Sequence, residues 1–242
     1  MVYVTTGRYL ADYAITCNGD VSLLSDVAID VTNGRISWIG KQSDAPPNHG
    51  PTSELGGLVM PGLVNSHAHT PMTLVRGAGD GLPLMDWLTK VMWPREGQMT
   101  PEDALWGMRL GAAEMLLAGV TSTCEMYLYE DAIVEAATEI GIRLAITPGI
   151  ISAVHGTSLA AVDNRINEIS EFHSQHHDPE SLITVGFGPH SAYDLPLNVC
   201  SEIASAAQDL QALLHIHVCE TETEGATLEA QNGGRSTVQL LS

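Results

Sequence analysis

The chain has 242 residues, 44% of them hydrophobic and 16% charged, with 29 acidic against 10 basic residues and a formal net charge of −19. That composition builds a packed core and excludes a disordered chain, and the length allows one large domain or a large one with a small one. A polyanion repels phosphate backbones and anionic bilayers, which excludes nucleic acids and membrane surfaces as partners.

No apolar run is long enough to cross a bilayer, and Met1–Leu10 lacks the basic start and apolar stretch of a secretory leader. The cysteines Cys17, Cys124, Cys200 and Cys219 form no C-x-x-C pair, so reduced thiols in a cytoplasm are expected.

Residues 1–57 read as a small β-rich, sandwich-like module. Short β-type runs lie at Tyr13–Thr16, Val27–Val31 and Arg35–Ile39. The turn signals Asn18-Gly19 and Asn33-Gly34 separate them, and the second predicts a hairpin because both residues tolerate positive φ.

From residue 58 the pattern becomes strand, loop, helix, repeated to residue 242. Strands are expected at Leu58–Ser66, Val120–Met126, Arg143–Ile150, Leu182–Gly188 and Ala212–Val218. Helices are expected at Leu84–Val91, Pro101–Ala118, Glu130–Glu139 and Leu159–His173, from Asp194 and Pro196 through Gln208, and in the tail from Glu224, with a break at Gly233-Gly234. Thr100, Pro101 and Asp103 supply the cap, first position and first-turn acid of the second helix. The fold class is therefore α/β, a (β/α)8 TIM barrel with a small β module. A closed barrel takes about 250 residues, so the part-barrel of 58–242 stops after strand five with about three units to come.

Three histidine signals fall at strand carboxyl ends. His67 and His69, in Pro61-Gly62-Leu63-Val64-Asn65-Ser66-His67-Ala68-His69, share one face of their strand. Two imidazoles converging there can hold a divalent ion. His215 and His217 repeat the spacing on strand five, and periodicity leaves open which of them is a packed core residue. Glu220 follows where the strand yields to its loop, and a carboxylate there can serve as base to a metal-activated water. His190 follows strand four, at the rim where such barrels work. His173, His176 and His177 sit at a helix end, where they complement its dipole; they are set aside with His49 and His155. The two lysines, Lys41 and Lys90, lie on no barrel strand, so a lysine-bridged pair of metals is unavailable and one ion is expected.

Several stretches, in order along the chain, resemble the amidohydrolase superfamily. They are Met60–Gly77, Leu82–Glu96 with Trp93-Pro94-Arg95-Glu96, Gly186–Tyr193 with Pro189-His190-Ser191, and His215–Thr221. The similarity is greatest to the branch of methylthioadenosine/S-adenosylhomocysteine deaminases and chlorohydrolases. The resemblance implies that His67, His69 and His217 bind one divalent metal, zinc or else iron. It implies Glu220 as the catalytic acid/base, Glu96 at the ribose hydroxyls and His190 at the bound nucleoside. It also implies removal of the amine from a purine-like ring, with triazine or pyrimidine amino- or chlorohydrolysis as the alternative. Two departures stand out. Pro148 occupies the place of the arginine that meets a substrate carboxylate, which disfavours S-adenosylhomocysteine. No histidine or aspartate follows Glu220, so the resemblance's strand-six histidine and strand-eight aspartate lack counterparts. The expected partner is a small-molecule substrate, with a homo-oligomer or a second chain completing the barrel. An inactive fragment that acts as an interaction module is the reading from another class.

Overall fold

The computed structural model describes residues 6–19 and 23–242; residues 1–5 and 20–22 of the expected β module lie outside the described residues. The chain divides into two compact units, Met1–Leu63 and Val64–Ser242.

In the first unit, β1 (Gly7–Ile15), β2 (Leu23–Thr32) and β3 (Arg35–Lys41) form an antiparallel meander, and β4 (Thr52–Glu54) and β5 (Leu58–Val59) run parallel to β1. Asn33 and Gly34 turn the β2–β3 hairpin at φ 52° and 74°, as their side chains permit. Ala14, Val27 and Ile29 are its buried centre. The expected strand Leu58–Ser66 is in fact two strands in two sheets. Leu58 and Val59 pair with β1, while β6 (Leu63–Ala68) belongs to the second sheet. Pro61 between them has no N–H for a ladder.

The second unit is a parallel part-barrel. Short helices α1 (Leu84–Trp87) and α2 (Trp93–Glu96) follow β6, then α3 (Pro101–Leu117), β7 (Val120–Glu125), α4 (Glu130–Ile140), β8 (Arg143–Ile146), β9 (Gly149–Ile150), α5 (Ser152–His155) and α6 (Leu159–His176). The unit finishes with β10 (Ile183–Pro189), α7 (Leu197–Asp209), β11 (Leu213–Leu214), α8 (Glu222–Gln231) and α9 (Thr237–Leu241). The sheet order is β6-β7-β8-β10-β11, with β9 also on β10. The pairs β7–β8, β8–β10 and β10–β11 are parallel, so the carboxyl ends of these four strands open on the same rim.

Local chemistry explains where the elements depart from expectation. The helix expected at Leu84–Val91 widens into a π turn at Leu88–Met92 and continues as α2. Pro94 cannot donate the hydrogen bond that a regular α-helix would send to Lys90, and the π turn absorbs that gap. Arg143–Ile150 is split into β8 and β9 around Pro148, which has no N–H to donate to a ladder. Strand five keeps ladder pairing only at Leu213–Leu214. Beyond it, the N–H groups of His215 and His217 still donate to the carbonyls of Phe187 and His190, each at 3.0 Å.

Helix α3 begins with the expected cap, Thr100 and Asp103 exchanging hydrogen bonds in a capping box. Its Gly107 and Gly111 lie against the turn Thr70–Val75. A Cβ at Gly107 would stand 2.8 Å from Pro71 Cα and overlap the Pro71 carbonyl. The overlap is expected to cost ~1–3 kcal/mol against the ~1 kcal/mol that alanine gains in a helix, so Gly107→Ala is expected to destabilise the chain by up to ~2 kcal/mol. Urea unfolding checks this; an unchanged or higher midpoint would contradict it.

Candidate metal centre

β6 ends at Ala68, and its alternation sends His67 and His69 to one side. The run after β11 brings His215 and His217 alongside the end of β10. Ligand nitrogens of His67, His69 and His217 all lie within 4.8 Å of one another. The ring centroids of His67 stand 4.8 Å from those of both His69 and His217.

Hydrogen bonds fix two of the tautomers. His69 Nδ1 lies 2.6 Å from the Met126 carbonyl oxygen, and His217 Nδ1 lies 2.8 Å from that of His190. A carbonyl only accepts, so both Nδ1 atoms carry hydrogen and both neutral rings present an Nε2 lone pair. Those two Nε2 atoms face each other at 3.1 Å. Lone pair against lone pair is repulsive, and a cation shared between them removes the repulsion. The donor set fits a divalent ion: imidazoles, two of them held from behind by carbonyls and the third by another histidine ring.

His215, left open beside His217 by periodicity, is not in the cluster. It stands behind His67, its Nε2 2.7 Å from His67 Nδ1. Its own Nδ1 meets Thr147 Oγ1 at 3.0 Å and Cys124 Sγ at 3.5 Å.

Burial pushes the pKa of His69 down to about 4, with neighbouring His217 and His67 acting in the same direction against the Met126 hydrogen bond. His215 falls to about 4 for the same leading reason, and burial lowers His217 as well. In the unfolded chain these rings titrate near ~6.5. Between pH 6.5 and 4 the unfolded chain thus binds more protons than the folded one. Stability of the metal-free protein is expected to fall as pH drops through that window, with no contribution from these rings above it. Thermal melts of metal-free protein at pH 7, 5.5 and 4.5 check the sign; a flat profile would contradict it.

The pocket beside the cluster is lined by His69 and His217 together with Glu96, His190 and Glu220. His67 stands in the cluster and not in the pocket wall. The Glu96 carboxylate accepts the Tyr127 hydroxyl at 2.8 Å. Burial holds its pKa above the usual carboxylate range, against the pull of that hydrogen bond. Glu220 follows Cys219, whose left-handed φ of 57° ends the extended run. Its Oε2 accepts the Tyr193 hydroxyl at 2.9 Å, and its backbone N–H donates to Glu224 Oε2 at 2.7 Å. His190 Nδ1 lies 3.4 Å from Asp194 Oδ2. Burial would raise the Asp194 pKa, but hydrogen bonds from His190 and Ser152 bring it below the usual value. Apolar walls come from Trp87, Met92, Trp93, Leu128 and Ile151, and no lysine or arginine lines the pocket among the described residues. Sequence reasoning missed Tyr127, Tyr193 and the role of His215; no periodicity sets them apart. His173, His176 and His177, set aside from the sequence, lie outside the cluster; His173 and His177 stack on each other at 4.2 Å.

No helix among the described residues is long and apolar enough to cross a membrane. Comparison with known proteins gives a match of residues 58–241 to the amidohydrolase family. A 5-methylthioadenosine/S-adenosylhomocysteine deaminase of Symbiobacterium thermophilum is 37% identical over 224 residues, covering 91% of this chain and 50% of the relative. A 5′-deoxyadenosine deaminase of Methanopyrus kandleri is 36% identical over 210 residues, covering 84% of this chain and 47% of its own length. The chain spans about half the length of the relatives it matches. Among solved structures, an adenosine deaminase from Xanthomonas campestris with bound zinc superposes with TM-score 0.81 at 32% identity, over 97% of this chain and 54% of that one. Atrazine chlorohydrolase from Arthrobacter aurescens, at TM-score 0.80 and 23% identity over 97% of this chain and 57% of its own, shares the fold.

Proposed function

Because the chain belongs to the amidohydrolase family, we propose that it is the metal-binding part of an aminohydrolase that removes the amine from a neutral adenosine-type nucleoside. The observation that carries the proposal is the pair of Nε2 lone pairs opposed at 3.1 Å beside an acid-bearing pocket. We assign one zinc ion to His67, His69 and His217; when bound, such an ion acidifies water to a pKa near ~7 and supplies a nucleophile at neutral pH.

The chain's own groups account for the rest. Glu220 receives the proton of the attacking water and returns it to a ring nitrogen. The Tyr193 hydroxyl orients that carboxylate by occupying Oε2, which leaves Oε1 for the proton. Water adds to the ring carbon bearing the amine; the proton of the added hydroxyl then passes through Glu220 to the amine, the C–N bond breaks, ammonia leaves and the ring carbon becomes a carbonyl. Glu96 accepts from the ribose hydroxyls, and His190 hydrogen-bonds the nucleoside. Trp87, Trp93 and Met92 supply apolar surface for a flat ring and an uncharged 5′ substituent. With Pro148 in place of a basic residue and no cation in the pocket lining, a substrate bearing a carboxylate tail lacks a counter-charge. The chemistry falls to residues 58–242; the β-rich module of residues 1–57 contributes none of these groups.

The test is ammonia release by the zinc-loaded protein from adenosine, 5′-deoxyadenosine, 5′-methylthioadenosine and S-adenosylhomocysteine. The first three are expected to react with higher kcat/KM than the last. A zinc-loaded protein inert towards all four would remove the substrate assignment.

A further inference from the structure

We propose that Glu125 is the positioning residue of the metal cluster, one buried carboxylate that fixes the turn carrying His69 and, through its own backbone, the ring behind His67. The proposal rests on the metal assignment above. Glu125 is the last residue of β7 and has no solvent exposure. It touches no cluster nitrogen; its oxygens are taken up by donors. Oε2 accepts the Thr70 backbone N–H at 2.7 Å, and Oε1 accepts the hydroxyls of Thr70 and Thr123 at 2.5 and 2.7 Å.

Thr70 begins the 3-10 turn immediately after His69. Its N–H is one of the donors that the first turn of any helix leaves unpaired, and Glu125 takes it. The next residue along β7's path grips the same segment from the other side. Met126 N–H donates to the Ala68 carbonyl at 3.1 Å, and the Met126 carbonyl accepts His69 Nδ1–H. Residues 68–70 are thereby bound to residues 125–126 at four points. From its main chain, Glu125 reaches the other side of the cluster. Its carbonyl accepts Thr147 N–H at 2.8 Å and the Thr147 hydroxyl at 3.0 Å, and that hydroxyl meets His215, which meets His67. Outer partners of this kind orient metal histidines and fix their tautomers.

The variants separate positioning from plain stability. Glu125→Gln can keep the arrangement: its amide oxygen accepts Thr70 N–H, and its NH2 donates to the two threonine hydroxyls, which rotate to accept. Glu125→Ala leaves Thr70 N–H buried without an acceptor. Thr70→Val removes one hydroxyl only, and Thr70→Ser restores it. The primary readout is the 15N imidazole spectrum of His69 in metal-free protein, with folding followed by circular dichroism. Wild type, Glu125→Gln and Thr70→Ser are expected to show one Nδ1–H tautomer; Glu125→Ala and Thr70→Val are expected to show averaging. Cobalt(II) affinity of the last two should fall by ~10–100-fold. If Glu125→Ala does not fold, the Thr70 pair decides. A folded Glu125→Ala or Thr70→Val chain with the wild-type His69 tautomer overturns the proposal. Failure of wild type to bind cobalt strikes the metal assignment instead, and the tautomer readout still judges Glu125.

Discussion

Replacing His217 with alanine is expected to weaken zinc binding by at least about 100-fold, beyond the ~10–100-fold typical of losing an outer partner. The substitution removes one of three converging nitrogens. It leaves the backbone in place, because the His217 N–H bond to the His190 carbonyl does not involve the ring. The same change has a second, opposite signature in the metal-free chain. Burial depresses the His217 pKa in the folded state, so the ring costs stability wherever the unfolded chain would protonate it. Without it, the metal-free variant should lose less stability than wild type as pH falls below ~6.5. Competition with a chelating dye measures the first effect and thermal melts across pH the second. A variant that holds zinc as tightly as wild type would take His217 out of the site.

Glu220→Gln is expected to lower kcat by ~10²–10⁴-fold while zinc content stays at the wild-type level. The amide can still accept the Tyr193 hydroxyl, so the side chain keeps its place at the pocket rim. What it loses is the capacity to take a proton and hand it on. Zinc content is expected to hold because Glu220 lies outside the histidine cluster. Parallel measurement of ammonia release and metal content distinguishes lost proton transfer from lost metal. Full turnover in the glutamine variant would move the acid/base role to another group in the pocket.

The parts of the fold that were legible in the sequence are those set by near neighbours. His67 and His69 share a face because strand alternation leaves them no other choice, and the structure brings them into one cluster. The Thr100–Asp103 cap and the Asn33-Gly34 turn depend on side chains within three residues of the backbone they satisfy, and both form as expected. The strand order follows from alternation of strands and helices under parallel connection. What was not legible depends on groups far apart in sequence. Leu58 and Val59 look like the start of a barrel strand, yet their partner is β1, some 45 residues earlier. Periodicity does not distinguish His215 from His217, and only the resemblance favours His217; in the structure they separate as His67 and the His190 carbonyl arrive from other strands. Glu125 reads as an ordinary acid at the end of a strand, and its importance appears only when Thr70 and Thr147 close around it. The same holds for Tyr127 and Tyr193, whose hydroxyls find Glu96 and Glu220 from 31 and 27 residues away.

The most direct test of the shared cation is native mass spectrometry of the purified chain after zinc exposure and removal of loosely held metal. One zinc per chain is expected, absent when His69 and His217 are both replaced by alanine. A wild-type chain that emerges without metal, or a double variant that retains it, would mean that the facing imidazole nitrogens are not a metal site.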